Sequence, residues 1–269
     1  MLHLNLNGAP CEAPEGTRLQ QFARDAVPEA DVVIRNGFQT AEDAELADGD
    51  SITLIRKGEL PPQDVLEHMM AARHSPKVHE TVKRARVGIA GLGGLGSNIA
   101  SMLARIGVGH LVLVDFDVVE PSNLNRQNYF VSHLGKKKTE ATKELVGQIN
   151  PFITVETHDA RIDASNAMEL FGDCDIVVEA FDKPDCKAEL VSTLLSESDT
   201  IRIVSGSGMA GYESSNTIQT RKRMSRLYVC GDGVTAAGNG VGLMAPRVLV
   251  CAGHEANMVL RLLLGIEEP

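Results

Sequence analysis

From Val87 to Ala104 the chain carries no charged residue, and inside that run stands Gly91-Leu92-Gly93-Gly94-Leu95-Gly96. The run is about as long as a membrane span, but it holds five glycines and a Ser-Asn pair. It reads instead as a buried strand (Arg86 to Ala90), a tight loop and a helix (Asn98 to Ile106). A G-x-G-x-x-G that leaves a strand and opens a helix predicts a phosphate-binding turn. Its glycines let the backbone approach a ligand closely, and the helix start offers unpaired N–H groups and a favourable dipole. Asp115 ends the next strand, nineteen residues past Gly96, where a carboxylate can accept hydrogen bonds from ribose hydroxyls. The loop and the acid together predict a nucleotide site, with a ligand-free glycine turn as the bland alternative. They do not separate a nicotinamide or flavin enzyme from one that uses ATP.

The rest of the second half repeats the pattern of apolar run and helical stretch. Strands are expected at His110 to Asp115, Thr154 to His158, Ile176 to Ala180 and Ile201 to Ser205. Helices are expected at Lys138 to Ile149, Lys187 to Ser196 and Pro246 to Leu264. This predicts an α/β domain over residues 85–269, a Rossmann-like mostly parallel sheet with helices on both faces. Residues 1–58 differ. Leu2, Leu4 and Leu6 alternate with polar residues, Leu19 to Ala26 is helical, Asp31 to Ile34 is a short strand closed by Asn36-Gly37, and Asp48-Gly49-Asp50 turns into a last strand, Ser51 to Arg56. That is a small α+β module. Pro61-Pro62 breaks the chain, and residues 59–84 form a helical linker that starts near Asp64.

The formal net charge of −10 removes nucleic acid as a general partner, since counterion release needs clustered excess cations. The N-terminus shows strand alternation and not the order of a signal peptide, and no membrane span is found, so a cytoplasmic protein is expected. Five widely spaced cysteines with no C-x-x-C pair suggest neither a disulfide framework nor a zinc site.

The segment after Asp115 narrows the chemistry. Asp115-Phe116-Asp117 is followed by Asn123-Leu124-Asn125-Arg126-Gln127 and Gly135-Lys136-Lys137-Lys138. A triphosphate calls for such cations, Arg126 as a planar fork and Lys138 as a point charge, whereas hydride transfer does not. The competing readings are a solvated loop arginine and a charged helix start, the latter for two of the three lysines.

On these motifs, over about residues 70–269, the sequence resembles the ThiF/MoeB family, bacterial relatives of ubiquitin-activating enzymes. The resemblance implies ATP held by Gly91, Gly93, Gly94, Gly96 and Asp115, with Asp117, Asn123 and Gln127 of the same motifs beside it. It also implies phosphate contacts from Arg126 and Lys138, and magnesium bound by Asp182 in Glu179-Ala180-Phe181-Asp182. A helix N-cap is the plainer role for Asp182. The implied reaction is attack of a carrier protein's C-terminal glycine carboxylate on the α-phosphate of ATP, by a homodimer. Two departures stand out. Where many members have R-x-x-R-Q this chain has Arg73-His74-Ser75-Pro76-Lys77, so Arg73 matches the first arginine, Pro76 stands where a second would reach the partner subunit's ATP, and either Lys77 substitutes or that contact is missing. The paired C-x-x-C zinc ligands of many members are also absent, so no zinc is expected. Some relatives use a cysteine to carry sulfur; Cys186, at a helix start, and Cys230, in a segment read as flexible and glycine-rich, are the candidates, each set against a structural role.

Residues 1–58 in turn resemble the ThiS/MoaD sulfur carriers, which have a ubiquitin-like β-grasp fold, through Val32-Val33-Ile34-Arg35-Asn36-Gly37 and Leu46 to Leu54. Such carriers end in a free Gly-Gly; here the chain continues through Gly58-Glu59-Leu60, so this copy is not itself a substrate without cleavage. It is read as a fused mimic that shapes carrier docking or dimer packing, against a remnant with no role. The combined expectation is a ThiF-type adenylyltransferase acting on a ThiS-like carrier in thiamine thiazole synthesis. The rivals are a MoaD-like carrier, a non-protein carboxylate, an NAD-dependent oxidoreductase, and a non-catalytic protein whose own β-grasp module fills the carrier groove.

Overall fold

The computed structural model describes residues 1–75 and 77–269. The chain divides into two compact units, Met1–His79 and Glu80–Pro269.

In the first unit a five-stranded sheet is built from β1 (Leu2–Leu6), β2 (Ala9–Ala13), β3 (Val32–Arg35), β4 (Phe38–Gln39) and β5 (Ser51–Ile55), in the order β2-β1-β5-β3-β4. β1 and β5 pair in parallel at its centre, and the other pairings are antiparallel. Helix α1 (Leu19–Ala26) follows β2, and its Leu19 and Ala23 join Leu4, Leu46, Ile52 and Leu54 in the core. The alternation of β1 explains that burial, since a strand sends every second side chain to the same face. The linker expectation resolves into α2 (Gln63–Ala71) and a short α3 (Val78–Val82) that straddles the division between the units.

The second unit is a seven-stranded sheet formed by β6 (Arg86–Ala90), β7 (His110–Val114), β8 (Thr154–His158), β9 (Ile176–Glu179), β10 (Arg202–Gly206), β11 (Gln219–Lys222) and β12 (Leu227–Gly231). The order is β11-β12-β10-β9-β6-β7-β8, parallel except for the β11–β12 hairpin. The central strands are buried along nearly their whole length, as both faces are covered by α4 (Gly96–Ile106), α5 (Lys138–Ile149), α6 (Ala167–Phe171), α7 (Pro184–Glu197) and α8 (Ala245–Leu263). One face packs Phe171, Leu190, Leu194 and Ile203 into a continuous core.

The β11–β12 hairpin was not expected from the sequence, and it corrects the reading of Cys230. That residue lies on β12 with no exposed surface, not in a flexible segment. Among the described residues no helix is long and apolar enough to cross a membrane. The glycine-rich run indeed folds as strand, loop and helix.

Candidate functional site

Chain order departs from β6 to β7 on one side and returns to β9 on the other, so the carboxyl ends of β6 and β9 flank the point where strand order reverses. Parallel α/β sheets place their ligands in the crevice at such a point.

The glycine loop fills it. Gly91 has φ +90°, and a Cβ there would stand 3.1 Å from the Ala180 carbonyl oxygen and from the Phe181 ring. A Cβ on Gly96 would fall 1.9 Å from the Gly91 carbonyl oxygen. These two positions therefore require glycine, one for conformation and one for closeness. Gly93 and Gly94 lie between, half-exposed, under Gln127 and Arg126 respectively. Residues not anticipated from the sequence hold the loop: Ser97 Oγ donates to the Gly93 carbonyl (2.6 Å), Asn98 Nδ2 to the Gly94 carbonyl (2.7 Å), and the buried Tyr129 hydroxyl to the Leu92 carbonyl (2.8 Å). Burial drives the Tyr129 phenol well above its ordinary range. A small polar residue in the first helical turn after the glycines would have been the signal for Ser97 and Asn98.

Asp115 follows β7 and is 8% exposed. Its Oδ2 accepts from the Leu92 N–H (2.6 Å) and its Oδ1 from the Asp117 N–H (2.7 Å), which ties the loop to the next strand end. Burial raises its pKa, against the nearby Lys138 charge and the two N–H donors. Each carboxylate oxygen keeps a second lone pair for a further donor. Lys138 is buried at the start of α5, and its Nζ lies 2.8 Å from Asp117 Oδ2, with its own N–H bonded to the Asp117 carbonyl. By contrast Lys136 and Lys137 point outward to Glu144 and Asp159. The structure thus singles out one lysine of the three.

Arg126 is half-buried; its Nη1 donates to the Ser122 carbonyl (3.2 Å) and to Asn125 Oδ1 (2.8 Å), and its buried Nε has no hydrogen-bond partner. Gln127 is buried with its Oε1 unpartnered. Asn123 turns inward, its Oδ1 accepting from the Glu120 N–H at 3.0 Å, and so shapes the turn that carries Arg126. Asp182 is exposed just past β9 and bonds to no described residue. The N-cap of α7 is Lys183, with no side-chain capping bond, so Asp182 is not a helix cap.

The remaining candidates fall elsewhere. Arg73 and Lys77 belong to the first unit; Arg73 Nη1 donates to Gln39 Oε1 at 3.0 Å, and Lys77 has φ +67°. Pro76, the residue at the expected second arginine, lies outside the described residues. Cys186 is half-exposed in the first turn of α7. Cys230 is sealed, and burial drives its thiol far above the ordinary value, which disfavours the thiolate a sulfur carrier needs. Among the described residues no cluster of three or more His, Cys, Asp or Glu could hold a metal.

Comparison with known proteins bears on the family and the fold. The ThiF family profile matches residues 66–269 and a ThiS-like ubiquitin profile matches residues 2–58. An adenylyltransferase and sulfurtransferase, UBA4 from Eremothecium gossypii, is 32% identical over 192 residues, covering 69% of this chain and 43% of that protein. Over 102 residues the chain is 41% identical to the probable adenylyltransferase/sulfurtransferase MoeZ of Mycobacterium tuberculosis, covering 38% of this chain and 26% of MoeZ. The chain therefore spans less than half the length of these curated relatives. Among solved structures, the Escherichia coli tRNA N6-threonylcarbamoyladenosine dehydratase TcdA in complex with ATP superposes with a TM-score of 0.68 at 20% identity, covering 77% of this chain and 98% of that one. Escherichia coli MccB with AMPCPP and MccA gives 0.54 at 26% identity, covering 71% and 59%.

Proposed function

Because the chain belongs to the ThiF family, we propose that it is an ATP-dependent adenylyltransferase that activates the C-terminal carboxylate of a ubiquitin-like carrier protein. One observation carries the reading. At the carboxyl ends of β6, β7 and β9 the chain gathers an open glycine loop, the buried ammonium of Lys138, the half-buried guanidinium of Arg126 and the unengaged carboxylate of Asp182.

Each has a task in acyl-adenylate formation. The loop amides and the N-terminus of α4 receive phosphate, and Asp115, with its spare lone pairs, takes the ribose hydroxyls. A carrier carboxylate oxygen forms a bond to the α-phosphorus while the bond from that phosphorus to the bridging oxygen breaks. The products are acyl-AMP and pyrophosphate. Negative charge accumulates on the leaving pyrophosphate, and Arg126 and Lys138 neutralise it. Turning toward phosphate, Arg126 exchanges two bonds within its own turn for charged ones, and Lys138, itself buried, exchanges its pairing with the half-exposed Asp117 carboxylate.

Magnesium is commonly held by one or two carboxylates together with substrate phosphates. Asp182, a hard oxygen donor with no partner among the described residues, fits that donor set, and the ion would supply charge neutralisation on the phosphates. A ThiS-like carrier, and with it thiamine thiazole synthesis in the cytoplasm, is favoured over a MoaD-like one by the ThiS-like unit at residues 2–58. That unit is cast as a docking or assembly element of a homodimer and not as the substrate, since its last strand runs on into Arg56-Lys57-Gly58-Glu59 with no free terminus.

The test is ATP–pyrophosphate exchange with ThiS-like and MoaD-like carriers, with and without their terminal Gly-Gly. Exchange with one intact carrier is expected. Lys138→Ala or Arg126→Ala should lower it about a hundredfold, the usual cost of one lost transition-state donor. Full exchange in both variants, or none with any carrier, would refute the reading.

A further inference from the structure

The turn that presents Asp182 is held by two side chains to which the proposed reaction gives no task. Glu179, the last residue of β9, has a carboxylate with no exposed surface. An isolated carboxylate so deep in a core is costly and is retained only when paired and hydrogen-bonded. It is fully engaged. Lys187 Nζ lies 2.9 Å away, the Ser205 hydroxyl donates to Oε2 at 2.6 Å, and the Phe181 N–H donates to Oε1 at 2.7 Å. Lys187, one turn into α7, also donates from Nζ to the Phe181 carbonyl at 3.0 Å. Both backbone polar groups of Phe181 are thus gripped by the two members of one ion pair. A Cβ on Gly91 of the glycine loop would stand 3.1 Å from the Phe181 ring, and the next residue in the chain is Asp182.

We propose that Glu179 and Lys187 are positioning residues: their ion pair, with its carboxylate fully buried and its ammonium partly so, clamps the Phe181 peptide groups and so fixes the Asp182 carboxylate against the glycine loop. The inference rests on the functional reading above and deepens it. Stability alone does not call for this arrangement, since apolar residues of similar volume can replace a buried ion pair at little or no cost in stability. An apolar pair, however, cannot bond a peptide N–H and a carbonyl at once. Ser205, reaching in from β10, donates to the Oε2 that Lys187 also meets, so the clamp is referred to the sheet and not to a mobile loop. Groups that orient a metal-binding carboxylate from behind change metal affinity or activity by roughly 10–100-fold when removed.

The experiment uses the full chain with Lys187→Met, Lys187→Arg, Glu179→Gln and Asp182→Ala. Binding of a fluorescent ATP analogue is titrated with MgCl2, hydrogen exchange of the Phe181 amide is measured, and carrier-dependent pyrophosphate exchange is split into kcat and KM. Lys187→Met and Glu179→Gln are expected to need at least about tenfold more Mg2+ for half-maximal analogue binding, and to lose about tenfold in kcat with the KM for carrier unchanged. Faster exchange of the Phe181 amide should accompany this, and Lys187→Arg should restore most of all three. The proposal is overturned if Lys187→Met and Glu179→Gln match the wild type in Mg2+ dependence and amide exchange. It is equally overturned if their losses track melting temperature alone and arginine fails to rescue. Should the wild type exchange pyrophosphate with no carrier, the functional reading falls, while the Mg2+ titration and the amide measurement still decide whether the pair positions Asp182.

Discussion

Glu255 on α8 supplies the sharpest quantitative expectation. Its side chain has no exposed surface, and among the described residues its Oε2 has no hydrogen-bond partner and its Oε1 receives only the Cys251 thiol at 3.6 Å. Burial, aided by the negative charge of Glu179 and opposed by Lys187 and that thiol, pushes the carboxyl from its ordinary 4.5 up to about 8. The other titratable neighbour is the equally buried Cys230. A raised pKa means that the folded chain keeps a proton which the unfolded chain has released across that interval. The stabilisation is therefore complete below about pH 4.5, fades as pH rises, and is gone above about pH 8. At about 1.4 kcal/mol per pH unit the interval amounts to a loss on the order of 5 kcal/mol. Glu255→Gln removes the titration while keeping the shape. Urea unfolding of both proteins from pH 5 to pH 9 reads the difference. Intrinsic fluorescence isolates the second unit, because the chain has no Trp and its three tyrosines, Tyr129, Tyr212 and Tyr228, all lie there. The variant should gain on the wild type as pH rises and level off above pH 8. A difference that stays flat with pH would show that Glu255 is ionised in the fold and that burial does not hold its proton.

Gly96→Ala should abolish nucleotide binding and cost about a hundredfold or more in pyrophosphate exchange, since the new Cβ would meet the Gly91 carbonyl oxygen at 1.9 Å and the loop must open; equilibrium binding of labelled ATP checks it. Arg247, with its side chain 3% exposed, bonds Asp232 at 2.5 Å and the carbonyls of Glu213 and Ser214. Arg247→Met therefore removes the ionic partner of the half-buried Asp232, which keeps its bonds from Val234 and Thr235, takes the arginine's donors from the Glu213 and Ser214 carbonyls, and should destabilise the second unit by about 2–3 kcal/mol in urea unfolding; a change below 1 kcal/mol would place that pair in effective contact with solvent. In thiol labelling of the native protein, half-exposed Cys11 and Cys186 should react, whereas Cys174, Cys230 and Cys251 should wait for unfolding. Burial pushes the Cys174 thiol up to about 12 and the other two higher still, and peptide mapping after a short alkylation pulse would detect any exception.

The parts of the site that were legible in the sequence are those whose chemistry is local. The glycine loop announces itself because Gly91 and Gly96 answer to a backbone conformation and a backbone contact within six residues of each other, and Asp115 because it closes an apolar strand. The β11–β12 hairpin was hidden for the opposite reason. Gln219 to Lys222 is polar because it is an edge strand, and Tyr228-Val229-Cys230 is short and followed by Gly231-Asp232-Gly233, so composition suggested a loop where pairing with β10 makes a buried strand. Choosing Lys138 over Lys136 and Lys137 needed the helix start at residue 138, because the first residue of α5 turns inward while its neighbours meet solvent acids. The clamp behind Asp182 was the least visible. Glu179 was in plain view as a carboxylate closing an otherwise apolar strand, a position where charge rarely survives unpaired. Its partners, though, come from α7 and β10, Ser205 lying 26 residues further along the chain. Sequence patterning reports which face of an element is buried, and a polar network assembled across three elements has no period to report. Here the glycine loop could be read from its motif, whereas the network around Glu179 is made of buried polar groups that look, in sequence, like exceptions.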